Sequence, residues 1–394
     1  MATQHSTRNV FLFSACQALS MSGAVLVFAV VALAGKMLAP TPELATLPLG
    51  IQFLSMMLGT VPASLAMGKI GRRLGFTLGQ VIGLAGAALS AWAVVEGEFW
   101  VFVAAAVPIG VHGAFYQFLR FAAAETARPE FRAKAISYVM AGGVVAAFLG
   151  PGLAKRTADL LAPATFAGAY VALMGLCLLN LLVLQGVRMP RPARLGASGS
   201  GRPLALIARQ PVFVVAVMAA MVGYGVMNLV MVATPLAMVG CGFTFADSAE
   251  VIRWHVLGMF VPSFFTGHLI ARFGVLRVIA TGGGLIVAAV AVNVSGLAFG
   301  NFMVALTLLG VGWNFMFVGG TALLAESYAA EERAKAQALN DLLVFGTTAV
   351  TSFASGAVQT ALGWQAVNLV SLLPVIVTLA GVTWLLRVRA ATAA

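Results

Sequence analysis

Apolar runs of about 20 to 28 residues recur from one end of the chain to the other, and no other feature constrains the fold as strongly. They lie near 10–34, 46–67, 76–95, 99–121, 135–154 and 164–187, then near 210–237, 250–271, 276–297, 301–325, 337–360 and 365–386. Each is long enough for a tilted helix to cross roughly 30 Å of hydrocarbon. Only 9% of the residues are charged, against roughly 25% in soluble domains, so the solvent for most of this surface is lipid. The expectation is an all-α membrane protein of twelve transmembrane helices. The polar stretch over 188–209, rich in Pro, Gly, Ser and Arg, divides it into bundles over 1–187 and 210–394.

The net charge of +11 would fit a nucleic-acid binder until the charges are mapped. Assigning loops alternately to two sides places nineteen Lys and Arg together and leaves only Lys36, Lys155, Arg156 and Arg253 opposite. This is the positive-inside pattern, so both termini and the linker are expected in the cytoplasm, and no nucleic-acid partner is expected. The polar segment Met1–Asn9 precedes a first run without a small-residue cleavage site, which reads as a retained helix. Three dispersed cysteines, Cys16, Cys177 and Cys241, form no CxxC and no Cys/His knuckle, so neither a disulfide framework nor a zinc finger is expected.

The halves repeat each other. Glu125 precedes Arg132-Ala-Lys-Ala and Glu326 precedes Arg333-Ala-Lys-Ala at an offset of 201, and Gly71 falls on Gly274 at an offset of 203. The loop carrying Lys69, Gly71, Arg72 and Arg73 and the loop from Gly267 through Arg272 to Gly274 occupy equivalent places. The second resembles the G-x-L-x-D-R-x-G signature of the major facilitator superfamily, with Ala271 at the acidic position and Gly68 there in the first copy. The resemblance implies the major facilitator fold of two six-helix bundles. Gly150-Pro151-Gly152 resembles a motif of proton-driven exporters in that superfamily, and equally suits a packed transmembrane helix.

A substrate in such a fold is expected near the midplane between the halves. Polar residues inside the runs are Gln17, Gln52, His112, Gln117, Tyr224, Asn228, His255, Asn293, Asn314, Asn340 and Asp341. Met227 and Met231 share one helix face in the seventh run, as do His255 and Met259 in the eighth, at similar depths. Three thioethers and an imidazole suit soft Cu(I). Methionine also fills gaps in helix packing, so spacing alone leaves ligation and packing both open.

Met227-Asn-Leu-Val-Met231 and His255-Val-Leu-Gly-Met259 resemble the Met-x-x-x-Met and His-x-x-x-Met marks of the CcoA-like (CalT) copper importers. The resemblance implies copper as transported substrate, with no prosthetic group, and uptake across a bacterial inner membrane for assembly of a cbb3-type oxidase. It implies copper chaperones on either side as partners of a monomer. Met56, Met57, Cys16, Cys241 and His112 are accessory candidates for the metal or the cavity, each also explicable as packing. Asp341 is the carboxylate placed within a run, a candidate for ion coupling or for a structural hydrogen bond. The chain reads as a transporter rather than an enzyme. The rival reading is a proton-coupled exporter of hydrophobic drugs or other small molecules, in which the methionines form a greasy wall.

Overall fold

A computed structural model describes residues 2–128, 131–189 and 201–393; residues 190–200, the middle of the expected linker, lie outside the described residues. Spans 1 to 6 are Thr7–Leu38, Pro42–Ile70, Arg72–Glu96, Phe99–Thr126, Lys134–Thr157 and Ala167–Gln185. Span 7 is Pro211–Gly240, and spans 9 and 10 are Val275–Ser295 and Phe299–Leu324. Span 8 is a broken pair, Phe245–Phe260 and Ser263–Phe273, bent by 42°. The bend falls at Val261-Pro262, where a proline ring displaces the helical hydrogen-bond ladder. Lys335–Ala391 is 57 residues long, about 85 Å if straight. That is more than twice the hydrocarbon thickness, and non-helical backbone at Gly363 divides it into spans 11 and 12.

The duplication read from the sequence is a duplication of packing. Span 1 packs on spans 5 and 6, and span 7 on spans 10 and 11–12; span 2 packs on span 4 as span 8 packs on span 10; span 3 packs on spans 4 and 6 as span 9 packs on spans 10 and 12. Gly71 (φ 91°, ψ 155°) and Gly274 (φ 86°, ψ 148°) end spans 2 and 8 in the same left-handed region. A side chain would strain that conformation, which explains why glycine stands at both turns. The halves meet through span 2 against the span 11–12 segment and span 5 against span 8.

On the face that carries both termini, the ion pairs among the described residues lie within the N-terminal half or within the linker and C-terminal half. Arg72 meets Glu125 at 2.6 Å and Arg389 meets Glu326 at 2.8 Å. The equivalent acids Glu125 and Glu326 thus each hold an arginine, but from different places: the loop in one half, the end of the chain in the other. Arg73 donates to Gln185, and Arg272 lies over the ring of its neighbour Phe273. Lys69 and Gly267 are exposed. The Glu332 side chain, 2% exposed, accepts from Arg202 at its backbone N (2.7 Å), Nε (2.9 Å) and Nη2 (2.7 Å) and from the Ala329 N–H (3.0 Å). These donors hold its carboxyl well below the ordinary carboxylate range, at about 2. The Arg202 carbonyl accepts in turn from Lys335 Nζ, so the start of the C-terminal half is tied down beside span 11.

Candidate functional site

A cavity of about 100 Å³ lies between the halves. Span 1 contributes Met21 and Phe28, span 2 Gln52, Phe53 and Met56, and span 4 His112, Tyr116 and Gln117. From the other half, span 7 contributes Tyr224, Met227 and Met231, span 8 Met259 and Phe260, and span 10 Trp313. The lining is apolar with a few polar groups, as ligand sites generally are. Among the described residues, no Asp, Glu, Lys or Arg lines it. His112 Nδ1 sits 3.0 Å from the Gly79 carbonyl. The ring therefore donates through Nδ1–H, leaving Nε2 as an acceptor.

A second cavity, about 490 Å³, lies nearer the terminal face, lined among others by Arg120, Met140, Ser263, Phe264, Asn314 and Phe317. Phe260 and Trp313 line both cavities and form the wall between them. Trp313 stacks on Phe317 at 5.2 Å and 9°, and Tyr224 meets both rings edge-on at 5.5 Å. On the opposite face the halves touch: Phe166 and Phe245 meet edge-on at 5.1 Å, and the Gly356 N–H donates to Thr46 Oγ1 at 3.1 Å. The central cavity is thus capped on the side away from the termini and walled by two aromatic rings on the other.

Twelve spans, packed as two matching sixes around a central cavity, are the architecture implied by the loop signature, and comparison of the sequence with known proteins decides the matter. The sequence profile of the Major Facilitator Superfamily matches residues 10–253 and 254–394. The chain belongs to the major facilitator superfamily. The transporter is similar to the riboflavin transporter RfnT of Brucella anthropi, with 39% identity over 363 residues covering 92% of this chain and 91% of that one. It is also similar to two uncharacterized MFS-type transporters of Bacillus subtilis. YdeG is 28% identical over 94% of this chain and 91% of its own length, and YddS 28% identical over 76% and 73%.

Within the transporter, Met227, Met231 and Met259 share the cavity wall, and Met56, at the position equivalent to Met259, stands in the same lining from the other half. His255 does not line the cavity. It is fully buried, with Nδ1 2.7 Å from the Leu306 carbonyl and Nε2 without a partner. It turns into the seam of spans 8 and 10, where Gly258 and Gly310 let the two backbones approach closely. Gln52, its equivalent in span 2, reaches the cavity instead.

Cys16 is buried away from the cavity, Cys241 is exposed at the end of span 7, and the sulfur of Met57 lies over Gly346 at the contact between the halves. Among the described residues, no group of three or more His, Cys, Asp or Glu side chains could hold a metal ion. Asp341 is exposed near the terminal-face end of span 11, accepting from the Asn340 amide at 3.1 Å. It lies within electrostatic reach of Arg120 in the other half, but not in ion-pair contact.

Several intramembrane amides serve the fold. Asn228 donates to Ser352 and the Thr348 carbonyl, Asn314 to Ser263 and the Met259 carbonyl, and Asn293 to Asn368. Gly150 packs closely on span 1 at Ser22 and Val25, so packing accounts for this glycine, whereas a Cβ added at Gly152 would meet nothing within 4 Å. Sequence reasoning did not single out Met21, Phe28, Tyr116, Phe260 or Trp313, because an aromatic or methionine in an apolar run looks the same whether it faces lipid, core or cavity.

Proposed function

We propose that the transporter moves an uncharged, largely planar organic molecule of the flavin class through the central cavity. The observation that carries this reading is the lining: aromatic and thioether walls with a few free amide, hydroxyl and imidazole groups and, among the described residues, no charged side chain. A fused heteroaromatic ring presents apolar faces and a hydrogen-bonding edge, which is the complement of such a wall. The similarity to a riboflavin transporter over nearly the whole of both chains supports the same reading. Transport follows from rocking of two six-span halves joined by the 188–209 linker, with the aromatic wall of Phe260 and Trp313 yielding toward the terminal face. The charge bias of the loops supports a bacterial inner membrane with both termini cytoplasmic.

Copper import is the second reading, carried by the three thioethers on one wall, with copper-handling partners and a monomeric state as its corollaries. It loses force because the imidazole meant to join them is bonded to the Leu306 carbonyl and lies outside the lining. Proteoliposomes separate the two. Riboflavin flux that is retained when Met227, Met231 and Met259 are all changed to Leu is the expected result. Absence of riboflavin binding and flux, with copper flux that the triple variant abolishes, would overturn the flavin reading in favour of the metal.

A further inference from the structure

The free polar atoms around the central cavity are divided unequally between the halves. The N-terminal half presents the amides of Gln52 and Gln117, the Tyr116 hydroxyl and Nε2 of His112. Among the described residues, none of these groups makes a side-chain hydrogen bond, and His112 is committed only through Nδ1. The C-terminal half faces them mainly with Met227, Met231, Met259 and Phe260, beside which Tyr224 and Trp313 bring one hydroxyl and one indole N–H. His112 and Tyr116 are one turn apart on span 4, their rings 5.5 Å apart, and span 2 is seated against span 4 where Gly110 lets it approach the Gln52 backbone. The N-terminal side of the cavity is therefore mainly a polar strip and the C-terminal side mainly an apolar wall with Tyr224 and Trp313 among it.

The strip has a definite hydrogen-bond character. The two carboxamides and the phenol can donate, and His112 Nε2 can only accept while Nδ1–H is held by Gly79. An acceptor flanked by donors is the complement of a cyclic imide edge, C=O, N–H, C=O, which the pyrimidinedione ring of a flavin carries. Resting on the flavin reading, we infer that this strip recognises the imide edge of the substrate, with His112 Nε2 accepting the imide N–H and the Gln52, Tyr116 and Gln117 donors serving the flanking carbonyls. The tricyclic body then lies against the methionine and aromatic wall. Specificity for the edge comes from one half and affinity for the ring from the other.

The test uses purified full-length transporter and quenching of flavin fluorescence, with riboflavin and its N3-methyl derivative as probes. Methylation removes the one donor and leaves the ring intact, so the wild type is expected to bind the methylated flavin at least about tenfold more weakly, the equivalent of one buried hydrogen bond with an acceptor left unpaired. His112→Phe is expected to bring that ratio close to one by weakening riboflavin alone. Met231→Leu is expected to change both affinities together and keep the ratio.

Equal binding of both flavins by the wild type overturns this assignment while leaving flavin transport standing. Failure of the wild type to bind either flavin overturns the transport reading beneath it. The wild-type comparison needs no variant, so a His112→Phe protein that fails to fold leaves the test intact. Gln117→Leu, expected to weaken riboflavin, then supplies the second measurement, and unaltered riboflavin binding by Gln117→Leu counts against the strip.

Discussion

The seam between spans 8 and 10 decides where His255 and Met259 point, and it can be opened by a single methyl group. A Cβ at Gly258 would stand 2.6 Å from the Thr307 carbonyl oxygen and 3.3 Å from the Val311 nitrogen. Ordinary contact needs about 3.4 Å, so the helices must part by close to 1 Å. A gap of that size forfeits a quarter to a half of the dispersion attraction along the contact, and overpacking of this kind costs about 1–3 kcal/mol. Alanine is a better helix former than glycine by roughly 0.5–1 kcal/mol, which would mask part of the loss. Gly284 supplies the correction: it lies on span 9, exposed, with no atom within 4 Å of an added Cβ. Both Ala variants share the helix gain, so the difference between them isolates the seam. Gly258→Ala is expected to unfold about 1–3 kcal/mol more easily than Gly284→Ala in detergent, and to bind flavin more weakly because Met259 and Phe260 shift with span 8. Equal stability of the two variants would refute the seam as the feature that sets these side chains.

Other perturbations act at separate places. Because the Glu332 carboxyl is held at about 2, below its ordinary value of 4.5, its contribution is complete above pH 4.5 and is lost as the pH falls toward 2. The melting-temperature gap between wild type and Glu332→Gln is therefore expected to be largest near neutrality and to close in acid; a gap independent of pH would exclude the charge as its cause. Trp313→Ala removes one of the two residues separating the cavities, so flavin release measured by stopped-flow fluorescence is expected to accelerate several-fold, with thermal stability reporting the lost stacking on Phe317 separately. Asp341→Asn leaves the cavity lining untouched and is expected to slow flux while preserving flavin affinity; a matching loss of affinity would place this residue in direct contact with substrate.

How much of this was legible in the chain follows from what lipid hides. The twelve spans were readable because each must satisfy its backbone internally over a fixed thickness, so length and apolarity alone mark it. The duplication was readable because Gly71 and Gly274 need the same left-handed turn and the Glu125 and Glu326 segments keep their spacing to Arg132 and Arg333. Helical period placed Met227 with Met231 and His255 with Met259 on shared faces. It could not say what covers each face, because in a membrane the lipid-facing and core-facing sides are both apolar and the pattern carries no inward direction. Tertiary packing made that choice: His255 turns into the seam of spans 8 and 10 and bonds to the Leu306 carbonyl, while the equivalent Gln52, approached as closely by Gly110, faces the cavity with His112 and Gln117. Composition and periodicity thus determined that this chain is a duplicated twelve-span bundle. Only the tertiary packing decided which of its few polar side chains meet a substrate and which merely hold helices together.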